Sequence, residues 1–144
     1  LKAYQDLPAF KLYLVDVGLL AAMTDLDAKT LLKGNAVFTE FKGALTEQYV
    51  CQQLVSDLNA VPYYWSAENS SGEVDFVLQH SGNVIPLEVK AEENLQAKSL
   101  KSFVSSNGLP FGVRTSMSDF RKQDQLLNLP LYALSQLWEA CDTF

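Results

Sequence analysis

The sequence has few of the residues on which several common kinds of site depend. Its 144 residues include two cysteines, Cys51 and Cys141, and one histidine, His80. Two distant cysteines do not make a disulfide framework, and two thiols favour a reducing compartment, so we expect a cytoplasmic protein. No serine or cysteine stands in the sequence context of a nucleophile that His80 could activate, which argues against nucleophilic catalysis.

Long apolar runs and basic residues are also scarce. No apolar run reaches the length that a bilayer requires, so we expect no membrane contact. The 11 basic residues are outnumbered by 17 acidic residues, which gives a net charge of −6. Domains that bind nucleic acid usually carry a basic surface. Any contact with DNA or RNA is therefore expected to be weak, local or assisted by another domain.

The pattern of apolar residues predicts an α/β fold with a mixed sheet. An apolar fraction of 48% is ordinary for a globular domain with one core. A strand over residues 11–17 and a short helix over 18–23 come first. A hairpin followed by a helix and another strand then indicates a mixed sheet with helices on its faces. In chain order, the remaining predicted elements are a helix over 37–58, strands over 61–65, 73–79 and 84–90, a helix over 95–106, strands over 111–115 and 126–133, and a helix over 135–139.

Two neighbouring strands carry two acidic residues and a lysine. Asp75 lies in the first strand of the predicted hairpin, and Glu88 and Lys90 lie in the second. The segment between the strands, His80–Asn83, has the composition of a hairpin turn. Acids and a lysine that meet on a sheet can bind a divalent cation and orient a water molecule. The alternative is an ordinary solvated sheet face.

The register of this hairpin decides whether the three side chains meet. Side chains alternate along a strand, so Glu88 and Lys90 share one face. Paired residues on antiparallel strands point the same way. A two-residue loop places Asp75 opposite Glu88 or Lys90, whereas a three-residue loop places it opposite Val89. The three side chains therefore meet only if the turn has an even length or a bulge is present.

The long predicted helix adds another candidate. Glu47 points into its apolar arc, between the directions of Cys51 and Leu54, and Glu40 lies nearly over the same arc two turns earlier. A carboxylate on a buried face is costly unless something pairs with it. Glu47 therefore either faces a polar site on the sheet or belongs to a helix end, an ion pair or a polar margin.

These residues resemble the PD-(D/E)xK nuclease superfamily over roughly residues 37–115. The resemblance rests on Glu47 in the first helix, Asp75 in a hairpin strand and Glu88-x-Lys90 in the next strand, although Val74 stands where the motif has proline. It implies a restriction-endonuclease-like core of helix, three strands, helix and strand. It also implies that Asp75 and Glu88 bind Mg²⁺ or Mn²⁺, while Lys90 and Glu47 act in catalysis.

Most of the chain is similar to the uncharacterised domain that follows the ATPase module in many prokaryotic AAA-type ATPases. The similar segments are Lys11–Leu20, Gly43–Val50, Glu73–Val77 and Pro86–Lys90. The similarity implies an upstream ATPase domain of the same protein as the partner. The first residue is Leu1 and no G-x-x-x-x-G-K-[ST] phosphate loop is present, so we expect a piece of a longer protein with ATP bound only in that upstream domain. Residues 1–34 would form the connecting segment and residues 35–144 the nuclease-like domain.

Four further residues are candidates for the same site, namely Glu40, Glu73, Lys98 and Lys101. Two functions remain open. The first is metal-dependent hydrolysis of phosphodiester bonds in nucleic acid, which the acidic residues and the lysine favour. The second is a non-catalytic interaction or regulatory module on the same scaffold, in which Lys90 neutralises Glu88 or Asp75. The negative net charge favours the second.

Overall fold

The computed structural model describes residues 1–24, 36–68, 72–92 and 96–144, with the backbone alone over 36–40. Six strands within these residues form one mixed sheet, so the predicted mixed α/β architecture is confirmed. The strands are β1 (Tyr63–Ser66), β2 (Glu73–His80), β3 (Asn83–Val89), β4 (Gly112–Ser116), β5 (Arg121–Gln123) and β6 (Leu126–Pro130). The described α-helices are α1 (Val17–Met23), α2 (Ala36–Ser56), α3 (Lys98–Ser106) and α4 (Leu137–Asp142), and 3-10 turns cover Lys2–Tyr4 and Leu131–Gln136.

The sheet has an antiparallel half and a parallel half. Its spatial order is β1-β2-β3-β4-β6-β5. The pairs β1–β2, β2–β3 and β5–β6 are antiparallel, whereas β3–β4 and β4–β6 are parallel. The helix α3 makes the crossover between the parallel strands β3 and β4, as parallel pairing requires.

Apolar side chains form one cluster on each face of the sheet. Neighbouring residues of β6 belong to different clusters, since Leu127 packs with α2 and α4 whereas Leu126 packs with α3. A Cβ atom on Gly112 would lie 2.9 Å from side-chain atoms of Leu100 and Val104, so glycine lets α3 approach β4 closely. The helices are thereby held on both faces of the strands that carry the candidate site.

The β2–β3 hairpin pairs regularly from its turn as far as Phe76 and Leu87, one position before Asp75 and Glu88. The pairing runs from Phe76 opposite Leu87 to His80 opposite Asn83. The loop is therefore two residues long, and Ser81 and Gly82 have φ values of 49° and 83°, as a type I′ turn requires. The predicted even-length turn is confirmed.

A bulge in β2 lies at Asp75. On the other edge of β2, Tyr63 pairs with Val77 and Trp65 pairs with Val74, so β2 has one more residue than β1 over this stretch. The extra residue explains why Val74 and Val77, three positions apart, both pack in the cluster against α3.

The predicted strand over residues 11–17 is wrong. Residues 11–16 belong to none of the described helices or strands, and α1 begins at Val17. Leu14 N donates to Gln48 Oε1 at 2.9 Å, and Gln48 Nε2 donates to Leu14 O at 2.7 Å. Val17 N donates to Gln52 Oε1 at 2.9 Å. The glutamine side chains of α2 therefore supply the partners that a neighbouring strand would supply.

Smaller differences from the sequence-based expectations occur near the C-terminus. The edge strand β5 was not predicted, because all three residues of Arg121–Gln123 are polar and exposed and show no apolar alternation. The predicted strand over 126–133 ends at Pro130, where a 3-10 turn begins. Both cysteines are buried free thiols. Among the described helices, none combines the length and the apolar character that crossing a membrane demands.

Replacing Gln48 with alanine is expected to destabilise the fold by about 2 kcal/mol, because Leu14 loses both of its partners. Urea denaturation of the variant and the unaltered chain measures this difference. Gln53→Ala is the matched control, since Gln53 lies on the same helix and its side chain makes no hydrogen bond with the described residues. Equal losses for the two variants would show that the contact to Leu14 contributes nothing specific.

Candidate functional site

The candidate residues lie at the end of the β2–β3 hairpin that is remote from its turn. Asp75 is half-buried there, and its Oδ2 accepts a hydrogen bond of 2.7 Å from Val89 N. Lys90 follows β3, and its backbone N–H donates to Thr115 O of β4 at 2.8 Å. The backbone of the Glu88-Val89-Lys90 triplet is thus held from both sides, by a carboxylate and by the next strand.

The pKa of the Asp75 carboxyl group is raised to about 6. Burial is the largest cause, and the negative charges of Glu47 and Glu88 add to it. The hydrogen bond from Val89 and the positive charge of Lys11 act in the opposite direction. Asp75 therefore lies within the electrostatic range of both other predicted carboxylates.

Glu47 is held in an ion pair with the N-terminal segment. Lys11 Nζ lies 3.1 Å from Glu47 Oε1 and also pairs with Glu73, and the hydroxyl of Tyr13 donates to Glu47. Lys11 Nζ is 5.2 Å from the centroid of the Tyr64 ring. Burial opposes the charge on Lys11, but its bonds to Glu73 and Glu47 outweigh burial and raise the pKa of Lys11.

Glu88 is the most buried of the predicted acids, with 6% of its surface exposed. Its Oε1 lies 2.6 Å from Lys90 Nζ. Its Oε2 is buried and has no hydrogen-bond partner among the described residues. Arg114 is paired with Glu88 in the register of β3 and β4. Burial lowers the pKa of Arg114, while the charge of Glu88 opposes that effect.

Arg114 is a neighbour of the site that no sequence motif indicated. It is 3% exposed, and its Nε donates to Asn128 Oδ1 at 2.9 Å. Asn128 is itself fully buried and donates to the backbone carbonyls of Ser118 and Asp119. The only sign of Arg114 in the sequence is its charge, since the other residues of the predicted strand are apolar or small.

The structure divides the predicted residues between two cavities. Asp75 lines a cavity of about 590 Å³ together with Lys11, Tyr13 and aromatic residues of β1. Glu88, Lys90 and Lys98 line a second cavity of about 410 Å³.

Of the remaining candidates, Glu73 is bound by Lys11, Lys101 is exposed and lines neither cavity, and the side chain of Glu40 lies outside the described part. Over the described ranges, no three or more histidine, cysteine or acidic side chains are grouped closely enough to hold a metal ion. Any cation at the site would therefore have at most two of these acids as ligands.

The fold and the site define an α/β domain with an acidic hairpin and a neighbouring lysine. Its sequence matches the model of the domain of unknown function DUF4143 over residues 42–134, and the chain belongs to this family. The match covers α2 from residue 42 onward, the whole sheet and the first four residues of the 3-10 turn that follows it. No curated protein and no solved structure matches the chain.

Asp75→Asn is expected to stabilise the fold at pH 7.5 by about 2 kcal/mol. The folded state binds the Asp75 proton more tightly than the unfolded state, so the stability of the unaltered chain falls as pH rises from about 4 to about 6. The advantage of the variant should therefore be absent near pH 4, grow up to about pH 6 and then stay constant. Urea denaturation across this range measures it.

The matched control is Asp57→Asn, because Asp57 is an exposed aspartate just after α2. Its effect should be small, because the side chain of Asp57 is exposed and its only hydrogen bond among the described residues comes from the neighbouring Ser56. A variant at position 75 that is less stable than the unaltered chain at every pH would contradict the assigned burial cost.

Proposed function

We propose that this chain is a nuclease-like domain that hydrolyses phosphodiester bonds of nucleic acid with the help of a divalent cation. The observation that carries the proposal is the pair of incompletely compensated acids at one end of the hairpin. Asp75 and Glu88 lie directly beyond the last regular pair of the hairpin, and Glu88 has one buried oxygen without a partner among the described residues. Lys90 follows two positions after Glu88.

The order of elements supports a restriction-endonuclease-like topology. From α2 to β4 the chain runs as helix, three strands, helix and strand. The three strands form an antiparallel unit, and α3 then crosses to a strand that is parallel to β3. This order and this strand direction are those that the proposed topology requires.

The residues present fit a hard divalent cation such as Mg²⁺ or Mn²⁺. The unpaired oxygen of Glu88 and the carboxylate of Asp75 are oxygen ligands, and Mg²⁺ in proteins often uses only one or two carboxylates and keeps several waters. Asp75 and Glu88 would hold the cation, and the carbonyl group of Val89 would add another oxygen. A bound cation would lower the pKa of a water and neutralise charge on the phosphoryl oxygens.

The other side chains of the site would position and neutralise charge. Lys90, which lies beside Glu88, would orient the attacking water or offset the negative charge of the transition state. Glu47 would support Asp75 from the other side, where Tyr13 and Lys11 fix its carboxylate. Arg114, which pairs with Glu88 in the register of the adjacent strand, would contribute positive charge beside it.

We also propose that the domain works beside an upstream ATPase module of the same protein in the cytoplasm. Domains of the DUF4143 family commonly occur in AAA-type ATPases, which supports this arrangement. ATP would then bind in the upstream module. Any nucleic acid would need that module or a local positive surface, because this chain has a net charge of −6.

A non-catalytic interaction module is the second candidate. The observation that favours it is that the four predicted acids with described side chains, Glu47, Glu73, Asp75 and Glu88, each have a partner in the chain. Lys11 binds Glu47 and Glu73, Lys90 binds Glu88, and Val89 N–H binds Asp75. In that case the charged residues would only shape the fold and its surface.

Calorimetric titration with Mn²⁺ separates the two candidates. The unaltered chain is expected to bind Mn²⁺, and Asp75→Asn and Glu88→Gln are each expected to weaken binding by at least about tenfold, because each removes a charged ligand. Glu68→Gln is the matched control, since Glu68 is exposed and lines neither cavity.

Mn²⁺-dependent cleavage of a labelled oligonucleotide by the same proteins tests the reaction itself. Binding without cleavage would leave a metal site without the proposed activity. If the unaltered chain binds Mn²⁺ no better than the Asp75→Asn/Glu88→Gln double variant, the metal site is absent and the interaction module is the better description.

A further inference from the structure

The first turn of α3 has hydrogen-bond donors that the helix itself does not use. Ala97 is the N-cap residue of this nine-residue helix and makes no side-chain capping bond. The N–H groups of residues 98–100 precede the first intrahelical bond, which Lys101 N makes to Ala97 O at 3.0 Å. These groups carry the positive end of the helix dipole.

The residue types in this turn add to its positive charge. The first turn of α3 contains no acidic residue, and its first residue is Lys98. A lysine at this position is unfavourable for the helix, because acidic residues suit the N-terminal end of the dipole. The turn therefore attracts an anion at the expense of helix stability.

This turn lines the same cleft as the candidate site. The cleft of about 410 Å³ is bordered by Lys98 and Ser99 on the helix and by Glu88 and Lys90 on the strand side. Exposed Glu92 also lines it. Lys101, one turn further along α3, is exposed and does not line the cleft.

Glu88, which lines this cleft, has an unsatisfied acceptor. Only 6% of the residue is exposed, one oxygen is paired with Lys90, and the other oxygen is buried without a partner in the described ranges. A buried carboxylate oxygen is stable only with a donor or a cation beside it. This observation is independent of the helix end, and it points to a ligand with positive charge.

The two sides of the cleft thus require opposite charges in one ligand. A free phosphate would be attracted by the helix end and Lys98 but repelled by Glu88. A free cation would be attracted by Glu88 but repelled by Lys98. A phosphate group that is coordinated to a divalent cation satisfies both sides.

We propose that the first turn of α3, with Lys98 and Ser99, binds the phosphate group of a nucleic-acid substrate while a divalent cation joins that phosphate to Glu88. This inference rests on the proposed function and adds the place and direction of substrate binding. The phosphodiester lies between α3 and β3, with its non-bridging oxygens toward the helix. Lys98 is then a substrate-binding residue, whereas Lys101 is an ordinary surface lysine.

Fluorescence anisotropy of a labelled single-stranded DNA oligonucleotide tests the inference on the full chain. Titrations are made in CaCl₂, whose cation uses the same kind of oxygen ligands, and in EDTA. Binding in CaCl₂ is expected to weaken about tenfold in Lys98→Ala and more in Lys98→Glu, whereas Lys101→Ala is expected to change it less than about twofold. EDTA is expected to abolish the difference between positions 98 and 101.

Lys98→Glu also distinguishes a lost binding site from binding that is lost because the protein unfolds. Glutamate suits the first turn of a helix better than lysine does, so the unfolding temperature of this variant is expected to stay equal or to rise. Weaker binding by a protein that is at least as stable is not the result of unfolding. A lower unfolding temperature in Lys98→Glu would overturn the assignment of Lys98 to an unsatisfied helix end.

The remaining outcomes also decide the inference. Equal losses at positions 98 and 101 would indicate a general basic surface and overturn it, as would Lys98-dependent binding that persists in EDTA. Absence of DNA binding in a chain that binds Mn²⁺ would overturn this phosphate site and leave the metal site intact. Absence of Mn²⁺ binding would instead overturn the proposed function itself.

Discussion

The arrangement of the site depends on the hydrogen bond from Val89 N–H to the carboxylate of Asp75. Backbone pairing between β2 and β3 extends from the turn as far as Phe76 and Leu87, and the bulge in β2 begins immediately beyond this pair. At that point a side chain takes over the acceptor role of a backbone carbonyl, at a distance of 2.7 Å. The bond ties the bulged end of β2 to the strand that carries Glu88 and Lys90.

That bond explains why an acidic residue is tolerated in the bulge. Burial and two neighbouring carboxylates oppose ionisation of Asp75, and a charge-assisted bond from a backbone N–H offsets part of this cost. Leucine or valine at this position would pack against the sheet but would leave Val89 N–H without an acceptor. The register of the hairpin and the chemistry of Asp75 are therefore linked.

The N-terminal segment contributes the positive charge on the other side of Asp75. Gln48 and Gln52 hold the backbone of this segment along α2, which brings Lys11 to Glu47 and Glu73. Without Lys11, three carboxylates would lie within range of one another with no nearby cation from this segment. The electrostatics of the candidate site thus depend on two uncharged glutamines that touch none of its acids in the described structure.

The sequence predicted those parts of the fold that follow from local periodicity. Alternation and turn composition were enough for the hairpin, because a two-residue turn with Gly82 determines the whole register. The segment over 11–17 alternates like a strand, but its partners are side-chain amides, and no periodicity in either segment encodes that pairing. The exposed strand β5 gave no apolar signal at all.

The candidate site was predictable to the same extent. The regular pairing as far as Phe76 and Leu87 followed from strand geometry, whereas the bulge at Asp75 depends on the pairing with β1, which is distant in sequence from β3. Arg114 was visible only as a charge within a predicted strand, and its place beside Glu88 depends on the parallel pairing that α3 creates. Contacts across a crossover are not readable from a single stretch of sequence.

The charges of the site are compensated unequally, and this inequality favours a ligand at Glu88. On the side of Glu47, a lysine and a tyrosine hydroxyl satisfy the carboxylate, and the same lysine satisfies Glu73. On the side of Glu88, one buried oxygen has no partner in the described structure, and the helix end across the cleft has no cap. A surface that served only to shape the fold would gain stability by giving the buried oxygen of Glu88 a hydrogen-bond donor. Local rules that are broken together at one place are typical of a site that another molecule completes.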